Sequence, residues 1–306
     1  MSADQAARKV IVTGASGLVG TPLCANLQAS GWRVVRAVRR PAQNDNEVMW
    51  NPQTGKIDQA GFEGATAVVH LAGENIADHK WSDSFKQKIL HSRTKGTLLI
   101  SETLAKLERK PETFVCASAI GYYGDRGEEV LTESSAPGGD FLADVCVQWE
   151  AACQPARDAG VRTANTRIGV VLSPHGGALA QMLLPFKLGA GGTIGSGQQY
   201  MSWIALDDLA RGLQFVVENP GLSGPVNMVA PDAVTNRAYT KTLGKVLNRP
   251  TFLPVPVFAL RLRFGEMVDA LLLASTRVAP TALEAAGFQF EYGHLEPALR
   301  HLLDRD

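Results

Sequence analysis

Short apolar runs alternate with longer segments of helical period along the first half of the chain. Buried strands of a parallel sheet form nearly continuous apolar runs, whereas helices repeat their apolar positions every three to four residues. These patterns predict five strands, at residues 9–13, 32–38, 65–72, 113–118 and 162–172. They also predict helices at about residues 17–30, 84–108 and 140–159.

Strands that alternate with helices favour a parallel sheet, because each crossover connection lays a helix across a face of the sheet. We therefore predict an α/β fold, a doubly wound parallel-sheet Rossmann fold, over residues 1–172. Residues 173–306 contain more glycine loops and spaced prolines, and we predict that they form mainly a smaller C-terminal substrate lobe. About residues 200–228 are expected to return to the Rossmann domain.

A late apolar stripe also has helical spacing. We interpret it as a packing face rather than as the wall of a ligand site. Its members are Leu260, Phe264, Met267, Leu271 and Leu272.

Composition is that of an ordinary globular protein, since 45% of the 306 residues are hydrophobic and 20% are charged. The 30 Lys and Arg balance the 30 Asp and Glu, so the basic excess that attracts nucleic acid or an anionic membrane is missing. We expect neither partner. Residues 1–9 lack an apolar leader segment, and charged residues interrupt the apolar stretch 255–274. The sequence therefore predicts a cytoplasmic protein.

Several kinds of chemistry leave no signature in this sequence. The four cysteines include no C-x-x-C pair, and the six histidines have no metal-ligand spacing, so we predict no metal site. Cys146 and Cys153 are interpreted as small buried residues rather than as a redox pair. The chain also lacks a G-x-S-x-G elbow, a Walker loop and a paired-carboxylate signature, which disfavours hydrolysis and phosphoryl transfer.

The loop after the first predicted strand reads T-G-A-S-G-L-V-G over residues 13–20. Gly14 permits a tight turn, Gly17 lets the backbone approach a pyrophosphate, and Gly20 lets the following helix pack closely on the sheet. The amides and the dipole at the start of that helix then face the phosphates. A strand before the loop and a helix after it make such a motif specific. We predict a dinucleotide site formed by Gly14, Ser16, Gly17, Leu18, Val19 and Gly20.

The end of the second predicted strand indicates which dinucleotide binds. NAD enzymes place an Asp or Glu there, about 20 residues after the loop, on the ribose hydroxyls. This chain has no acidic residue between Asp4 and Asp45 and carries Arg36, Arg39 and Arg40 instead. Guanidinium groups suit the 2′-phosphate of NADP(H), which is the cofactor we predict. The alternative is that these arginines are only solvated side chains at the end of a strand. This alternative is weaker, because the missing acidic residue and the added arginines both favour NADP(H).

Motifs beyond the loop carry a family resemblance. They include V-V-H-L-A-G at residues 68–73, S-A-I-G-Y-Y-G at 118–124 and L-P-F-K-L-G at 184–189. With the glycine loop they make the chain resemble an extended short-chain dehydrogenase/reductase, of the atypical epimerase-like family of the YfcH type in the NAD-dependent epimerase/dehydratase superfamily. The resemblance implies NADPH contacts at the glycine loop and at Arg39, Leu71, Ala72, Gly73, Arg93 and Val171. The resemblance therefore implies an oxidoreductase or a relative of the nucleotide-sugar epimerases, and it leaves the substrate open.

The catalytic pair of that superfamily is not present. Its mechanism uses a Tyr as general acid/base, a Lys four residues later, and a Ser or Thr that binds the carbonyl oxygen. No lysine occurs between Lys110 and Lys187, and the segment where the pair should fall reads F-L-A-D-V. We predict that Ser118 keeps the carbonyl-binding position and that Tyr122 or Tyr123 supplies the acid. Packing of both rings in the cleft is an equally open interpretation.

Two functions fit these observations. One is an NADP(H)-dependent oxidoreductase or epimerase-like enzyme with a small, possibly sugar-nucleotide-like substrate. The other is a non-catalytic NADP(H)-binding protein that acts as a sensor. The glycine-rich segment 189–197 fits a mobile lid in the first case and a partner-facing loop in the second, so the sequence does not separate them.

Overall fold

The computed structural model describes residues 8–77 and 79–305. In this part of the chain the strands are β1 (Lys9–Thr13), β2 (Arg33–Val38), β3 (Glu47–Asn51), β4 (Lys56–Ile57), β5 (Ala67–His70), β6 (Thr113–Ala119), β7 (Val130–Leu131), β8 (Arg162–Ile168), β9 (Val170–Leu172), β10 (Tyr200–Met201), β11 (Trp203–Ala205), β12 (Gly224–Met228), β13 (Val234–Thr235) and β14 (Arg277–Val278). The helices are α1 (Gly20–Ala29), α2 (Gln59–Phe62), α3 (Asp83–Lys106), α4 (Phe141–Ala151), α5 (Gln154–Asp158), α6 (Gly177–Lys187), α7 (Leu206–Glu218), α8 (Asn236–Leu247), α9 (Val257–Phe264), α10 (Thr281–Ala285) and α11 (Leu295–Leu302). A 3-10 turn covers Ile120–Tyr123, and a π-helical turn covers Asp269–Leu273.

The central sheet has the strand order β12-β8-β6-β5-β1-β2-β3-β4. Its strands pair in parallel except for the antiparallel β3–β4 hairpin. Strands β2, β3 and β4 follow one another on one side of β1, and the chain then crosses to the other side of β1 to form β5. This reversal opens a crevice beyond the carboxyl ends of β1 and β5, which is where doubly wound folds bind ligands.

Both faces of the sheet are covered by helices. Val10 and Val12 of β1 face one side, in the cluster that includes Leu23 of α1 and Leu209 of α7. Ile11 faces the other side, with Ile100 of α3. Burial on both faces explains why the strands read as continuous apolar runs. The predicted α/β fold is confirmed.

Two predicted elements are divided in the structure. The predicted helix 140–159 is two helices, α4 and α5, and Pro155 lies in the first turn of α5, where its missing N–H is tolerated. The predicted strand 162–172 is interrupted at Gly169, where an added Cβ would lie 2.7 Å from Val229 Cγ1. Strand β3 was not predicted, although Val48 and Trp50 alternate with less buried residues along it.

The second half of the chain contributes to two places. Helix α7 packs on α1, and β12 extends the central sheet beside β8. Helices α6, α8 and α11 enclose a separate apolar cluster that includes Leu179, Leu243 and Leu299. The role of this cluster as a substrate lobe stays a prediction. None of the described helices combines the length and the apolar composition that a membrane span requires.

Candidate cofactor and substrate site

The glycine loop leaves β1 at the crevice of the sheet. Gly14 has a φ of 68°, and a Cβ there would lie 3.0 Å from the backbone nitrogen of Ala72. A Cβ on Gly20 would collide with the carbonyl oxygen of Gly14. The amide of Gly17 donates to the same oxygen at 2.9 Å, which closes the turn. The close approach of three backbone segments therefore requires glycine at positions 14 and 20, while Gly17 and Ser16 remain exposed.

Thr13 fixes the segment after β5 beside this loop. Its Oγ1 accepts the amides of Leu71 and Ala72, each at 3.2 Å, and lies 2.7 Å from Nδ1 of His70. Because the two amides use both lone pairs of the hydroxyl, the third bond is one that Thr13 donates to Nδ1. His70 is fully buried, and burial lowers its pKa to about 3. The imidazole is therefore neutral and carries its proton on Nε2.

The predicted arginine cluster lies exposed at the end of β2. Arg40 donates to both carboxylate oxygens of Glu47 at 2.7 Å. Glu47 is opposite Arg36 in the parallel register of β2 and β3. Within residues 8–77 and 79–305, the guanidinium groups of Arg36 and Arg39 form no hydrogen bond or ion pair. Glu47 thus forms an ion pair with one of the three arginines. This pair was not predicted, because strand β3 and its position beside β2 were not predicted.

Arg93 of α3 lies beside the segment that follows β5. It donates to the carbonyl oxygen of Glu74 at 3.1 Å, and its Cζ lies 5.0 Å from the centre of the Trp149 ring. A Cβ on Gly73 would lie 3.7 Å from the same Cζ. Burial lowers the pKa of Arg93, and no carboxylate of the described chain forms a salt bridge with it. Arg93 is therefore a cation available to an anionic or polar ligand.

The opposite side of the glycine loop faces the start of α6. A Cβ on Gly176 would lie 3.3 Å from the side chain of Leu18, and one on Gly177 would lie 3.6 Å from the carbonyl oxygen of Val171. Val19 packs on the core below. The structure thus brings the loop, the residues after β5, Arg93 and Val171 to one edge of the sheet. Their contacts to a cofactor stay predictions.

A cavity of about 300 Å³ adjoins this edge. Its walls come from the ends of β6 and β8, from α4 and from residues of the C-terminal half. Leu271 and Leu272 of the π-helical turn line it. Their interpretation as part of a packing face rather than a ligand wall stays a prediction, because helical spacing identifies an apolar face but not what that face meets.

Ser118 lies beside the cavity wall but not in it. The β6 end of the wall is formed by Ala119, whereas Ser118 is 2% exposed and its Oγ donates to Glu150 Oε1 at 2.7 Å. Glu150 of α4 in turn accepts two hydrogen bonds from Arg167 of β8, at 2.8 and 2.9 Å. The Ser118 hydroxyl was predicted to donate a hydrogen bond to a substrate carbonyl. In this structure it donates to Glu150 instead.

The two tyrosines of the 3-10 turn contact the same arginine. Tyr123 is fully buried, donates to Asn227 Oδ1 at 2.6 Å and accepts from Arg167 at 3.0 Å. Burial raises the pKa of Tyr123. Arg167 Cζ lies 3.4 Å from the centre of the Tyr122 ring. These are the contacts of a packed polar network, and the catalytic roles of Ser118, Tyr122 and Tyr123 stay predictions.

Helix α4 faces the cavity with side chains that do not transfer protons at neutral pH. Leu142 and Val145 line the wall, while Asp144 is exposed and accepts a hydrogen bond from Gln148 at 2.8 Å. Cys146 also lines it, and burial raises its pKa to about 12. The segment that should carry the Tyr-Lys pair therefore offers an apolar wall.

Tyr200 is a cavity residue that the sequence analysis did not single out. It lines the wall, its hydroxyl makes no hydrogen bond to a described residue, and Arg277 Cζ lies 4.7 Å from its ring centre. Arg93, Cys146 and Tyr200 are the titratable side chains that line the cavity within the described part of the chain. Tyr200 ends the segment G-S-G-Q-Q-Y at residues 195–200, but this segment does not indicate a cavity position, because the other residues of the cavity wall are mostly distant in sequence.

Comparison with known proteins gives matches over nearly the whole chain. Residues 10–229 match the NAD dependent epimerase/dehydratase family, and residues 255–302 match a domain of unknown function, DUF1731. An epimerase family protein of Mycobacterium tuberculosis is 45% identical over 296 residues, which cover 97% of this chain and 98% of that protein.

Solved structures agree with this assignment. The crystal structure of human epimerase family protein SDR39U1 (isoform 2) with NADPH has a TM-score of 0.90 and 33% identity, covering 97% of this chain and 100% of that one. A nucleoside-diphosphate sugar epimerase from Corynebacterium glutamicum has a TM-score of 0.80 and 38% identity, covering 98% of this chain and 59% of that one. The predicted resemblance to atypical extended short-chain dehydrogenase/reductases is confirmed, and its narrower YfcH type stays a prediction. By sequence, fold and glycine loop together, the chain belongs to the NAD dependent epimerase/dehydratase family.

Proposed function

We propose that this protein binds NADP(H) in the crevice beside β1 and β5 and acts as an oxidoreductase on a small molecule in the adjoining cavity. The observation that carries the proposal is the backbone of the glycine loop. A Cβ on Gly20 would collide with the backbone of Gly14, and one on Gly14 would lie only 3.0 Å from the backbone after β5, while Gly17 is exposed. Such a loop at the start of a helix presents amides to a pyrophosphate.

The guanidinium groups of Arg36 and Arg39, which have no partner among the described residues, support NADP(H) over NAD(H). They lie at the end of β2, where the adenosine ribose of a dinucleotide is held in this fold. A 2′-phosphate would satisfy their charge, whereas a ribose hydroxyl would not. The related human protein, which is 33% identical, was crystallised with NADPH.

A reductase also needs a proton source, and Tyr200 is the best placed. NADPH, when bound, supplies a hydride, which a substrate carbonyl would accept at carbon. The carbonyl oxygen would take the proton of the Tyr200 hydroxyl, which solvent then restores, giving an alcohol and NADP⁺. The apolar residues of α4 would exclude water from the reacting atoms.

A second function is supported by a different observation. Ser118 and Tyr123 are held in a network around Glu150 and Arg167, and α4 carries no proton relay. This arrangement fits a protein that binds NADP(H) and does not turn it over, such as a sensor.

Calorimetry and steady-state kinetics distinguish the oxidoreductase function from the sensor function. We expect NADPH to bind much more tightly than NADH, and we expect the nicotinamide absorbance to change when a panel of carbonyl compounds is added. Tight binding without turnover across a broad panel would favour the sensor. Equal affinities for NADPH and NADH would contradict the proposed cofactor choice, and binding of neither would contradict both functions.

A further inference from the structure

The cavity beside α4 has mainly apolar walls. They are formed by side chains from several separate parts of the chain, including Leu142, Val145, Met182, Met201, Leu271 and Leu272. Methionine side chains adapt to the shape of an apolar ligand. The volume of about 300 Å³ is at the lower end of the range for small-molecule sites. The cavity therefore suits a compact ligand with a large apolar fraction.

Most polar side chains in the wall are already bonded to the protein. Ser202 donates to a backbone carbonyl at 2.9 Å and accepts a backbone amide at 2.8 Å. Thr276 donates to a carbonyl at 3.1 Å, and the amide group of Gln199 donates to two carbonyls at 3.1 and 3.0 Å. Tyr200 differs, since its hydroxyl makes no hydrogen bond within the described chain. The wall thus offers one uncommitted hydroxyl to a ligand.

A diphosphate would find few partners here. Phosphates bind to cationic side chains or to free amides at helix starts. Helix α8 begins at Asn236 in the wall, but its first three amides already donate, at 2.9, 2.9 and 3.2 Å, to two loop carbonyls and to the capping hydroxyl of Thr235. Among the described residues of the wall, Arg93 is the one cation, and no carboxylate is present. The resemblance of the chain to the epimerase-like family implies that Arg93 contacts NADPH.

From these contacts we propose that the substrate is a small, uncharged, largely apolar ketone or aldehyde, and not a nucleotide sugar. Its carbonyl oxygen accepts the hydrogen bond of Tyr200, and its body fills the space between α4 and the π-helical turn. This inference rests on the proposed function, because it leaves Arg93 to NADP(H).

Calorimetry on protein loaded with NADP⁺ tests the inference without relying on turnover. The probes are neutral alkyl and aryl ketones, including acetophenone, the matched keto acid phenylglyoxylate, and UDP-glucose. We expect at least one neutral ketone to bind about tenfold or more tightly than phenylglyoxylate and UDP-glucose, a difference of about 1.4 kcal/mol. Tighter binding of the keto acid or of UDP-glucose would overturn the inference, as would binding of no neutral ketone.

A pair of variants locates the ligand. Leu271→Glu places a charge in the cavity wall and should weaken ketone binding about tenfold or more while leaving NADPH affinity unchanged. Leu262→Glu is the matched control, because Leu262 is 79% exposed on α9, and it should change neither affinity. If Leu271→Glu fails to fold, Leu271→Trp fills the cavity without adding a charge and should give the same loss. Unchanged ketone binding in a folded Leu271 variant would overturn the inference.

The two proposals fail in different ways. If NADPH does not bind the parent protein, the proposed function is wrong whatever the ketones do. If NADPH binds and only charged ligands occupy the cavity, the proposed function stands and the substrate class is wrong.

Discussion

The hydroxyl of Ser118 donates its proton to Oε1 of Glu150 at 2.7 Å, and the same carboxylate is held by Arg167 at 2.8 and 2.9 Å. The contact joins β6, α4 and β8 at the carboxyl edge of the sheet. Because this proton is committed to a carboxylate, we expect Ser118 to position α4 rather than to bind a substrate carbonyl.

We therefore expect Ser118→Ala to act mainly on stability. Loss of a hydrogen bond to a charged group should lower the free energy of unfolding by about 1.5–3 kcal/mol, and kcat should change only a few-fold once a substrate is found. Denaturant unfolding and steady-state kinetics measure both. Ser134→Ala, at an exposed serine, is the control. A kcat loss of about 10²–10³ with unchanged stability would instead support the carbonyl-binding role.

Arg39→Ala should weaken NADPH and leave NADH unaffected. A charge-assisted hydrogen bond to phosphate contributes about 1.5–3 kcal/mol, so the affinity for NADPH should fall about tenfold or more. Calorimetric titration with both cofactors measures the difference. Arg33→Ala is the matched control, because Arg33 is an exposed arginine at the other end of β2. An equal loss for NADH would mean that Arg39 acts on the fold.

Glu47→Gln should tighten NADPH binding. The change removes a negative charge beside the cluster and frees Arg40, which now donates to Glu47 at 2.7 Å. Exposed ion pairs are screened by solvent and contribute little, so we expect NADPH affinity to rise by a few-fold at most, with a larger gain at low salt. Glu129→Gln removes an exposed acid elsewhere and should have no effect. Weaker NADPH binding would show that Glu47 supports the site.

Gly17→Val should abolish binding of both cofactors without unfolding the protein. A Cβ at this exposed position would lie 3.2 Å from the carbonyl oxygen of Gly14, so the loop can accept it with a small shift. The larger side chain would then occupy the path of the pyrophosphate. Gly139→Val is the control, since a Cβ there meets no atom within 4 Å. Normal NADPH binding by a folded Gly17→Val protein would exclude the loop as a phosphate cradle.

His70 should make the protein sensitive to acid. Its pKa is about 3 in the folded state and 6.5 in its ordinary state, so between these values the unfolded chain binds the extra proton. The contribution of neutral His70 to the free energy of unfolding is therefore complete above pH 6.5. It falls by about 1.4 kcal/mol per pH unit as the pH drops toward 3. Urea unfolding at several pH values between these limits measures how the free energy of unfolding changes with pH. In His70→Asn this pH dependence should correspond to about one proton fewer taken up on unfolding. The exposed histidine variant His91→Asn should keep the parent slope.

Local signals were enough for most strands and helices of the Rossmann half of the protein and for its glycine loop, although they missed β3. The central residues of strands such as β1 and β5 are buried on both faces and form short unbroken apolar runs, and this pattern is readable from a few neighbours. Glycine is required at positions 14 and 20 by close contacts within the loop and with the segment after the adjacent strand. The order of strand, loop and helix in the sequence already indicates such close contacts.

Other features depended on contacts between residues distant in sequence. Glu47 pairs with Arg40 only because β3 lies beside β2, and Ser118 gives its proton to a carboxylate 32 residues later. Leu271 and Tyr200 share a cavity with α4, although no period or motif links them. The sequence determined most of the strands and helices of the first half because those preferences are local. Only the tertiary structure decided which hydrogen bonds are already used and which side chains face the cavity, because both depend on how distant elements pack.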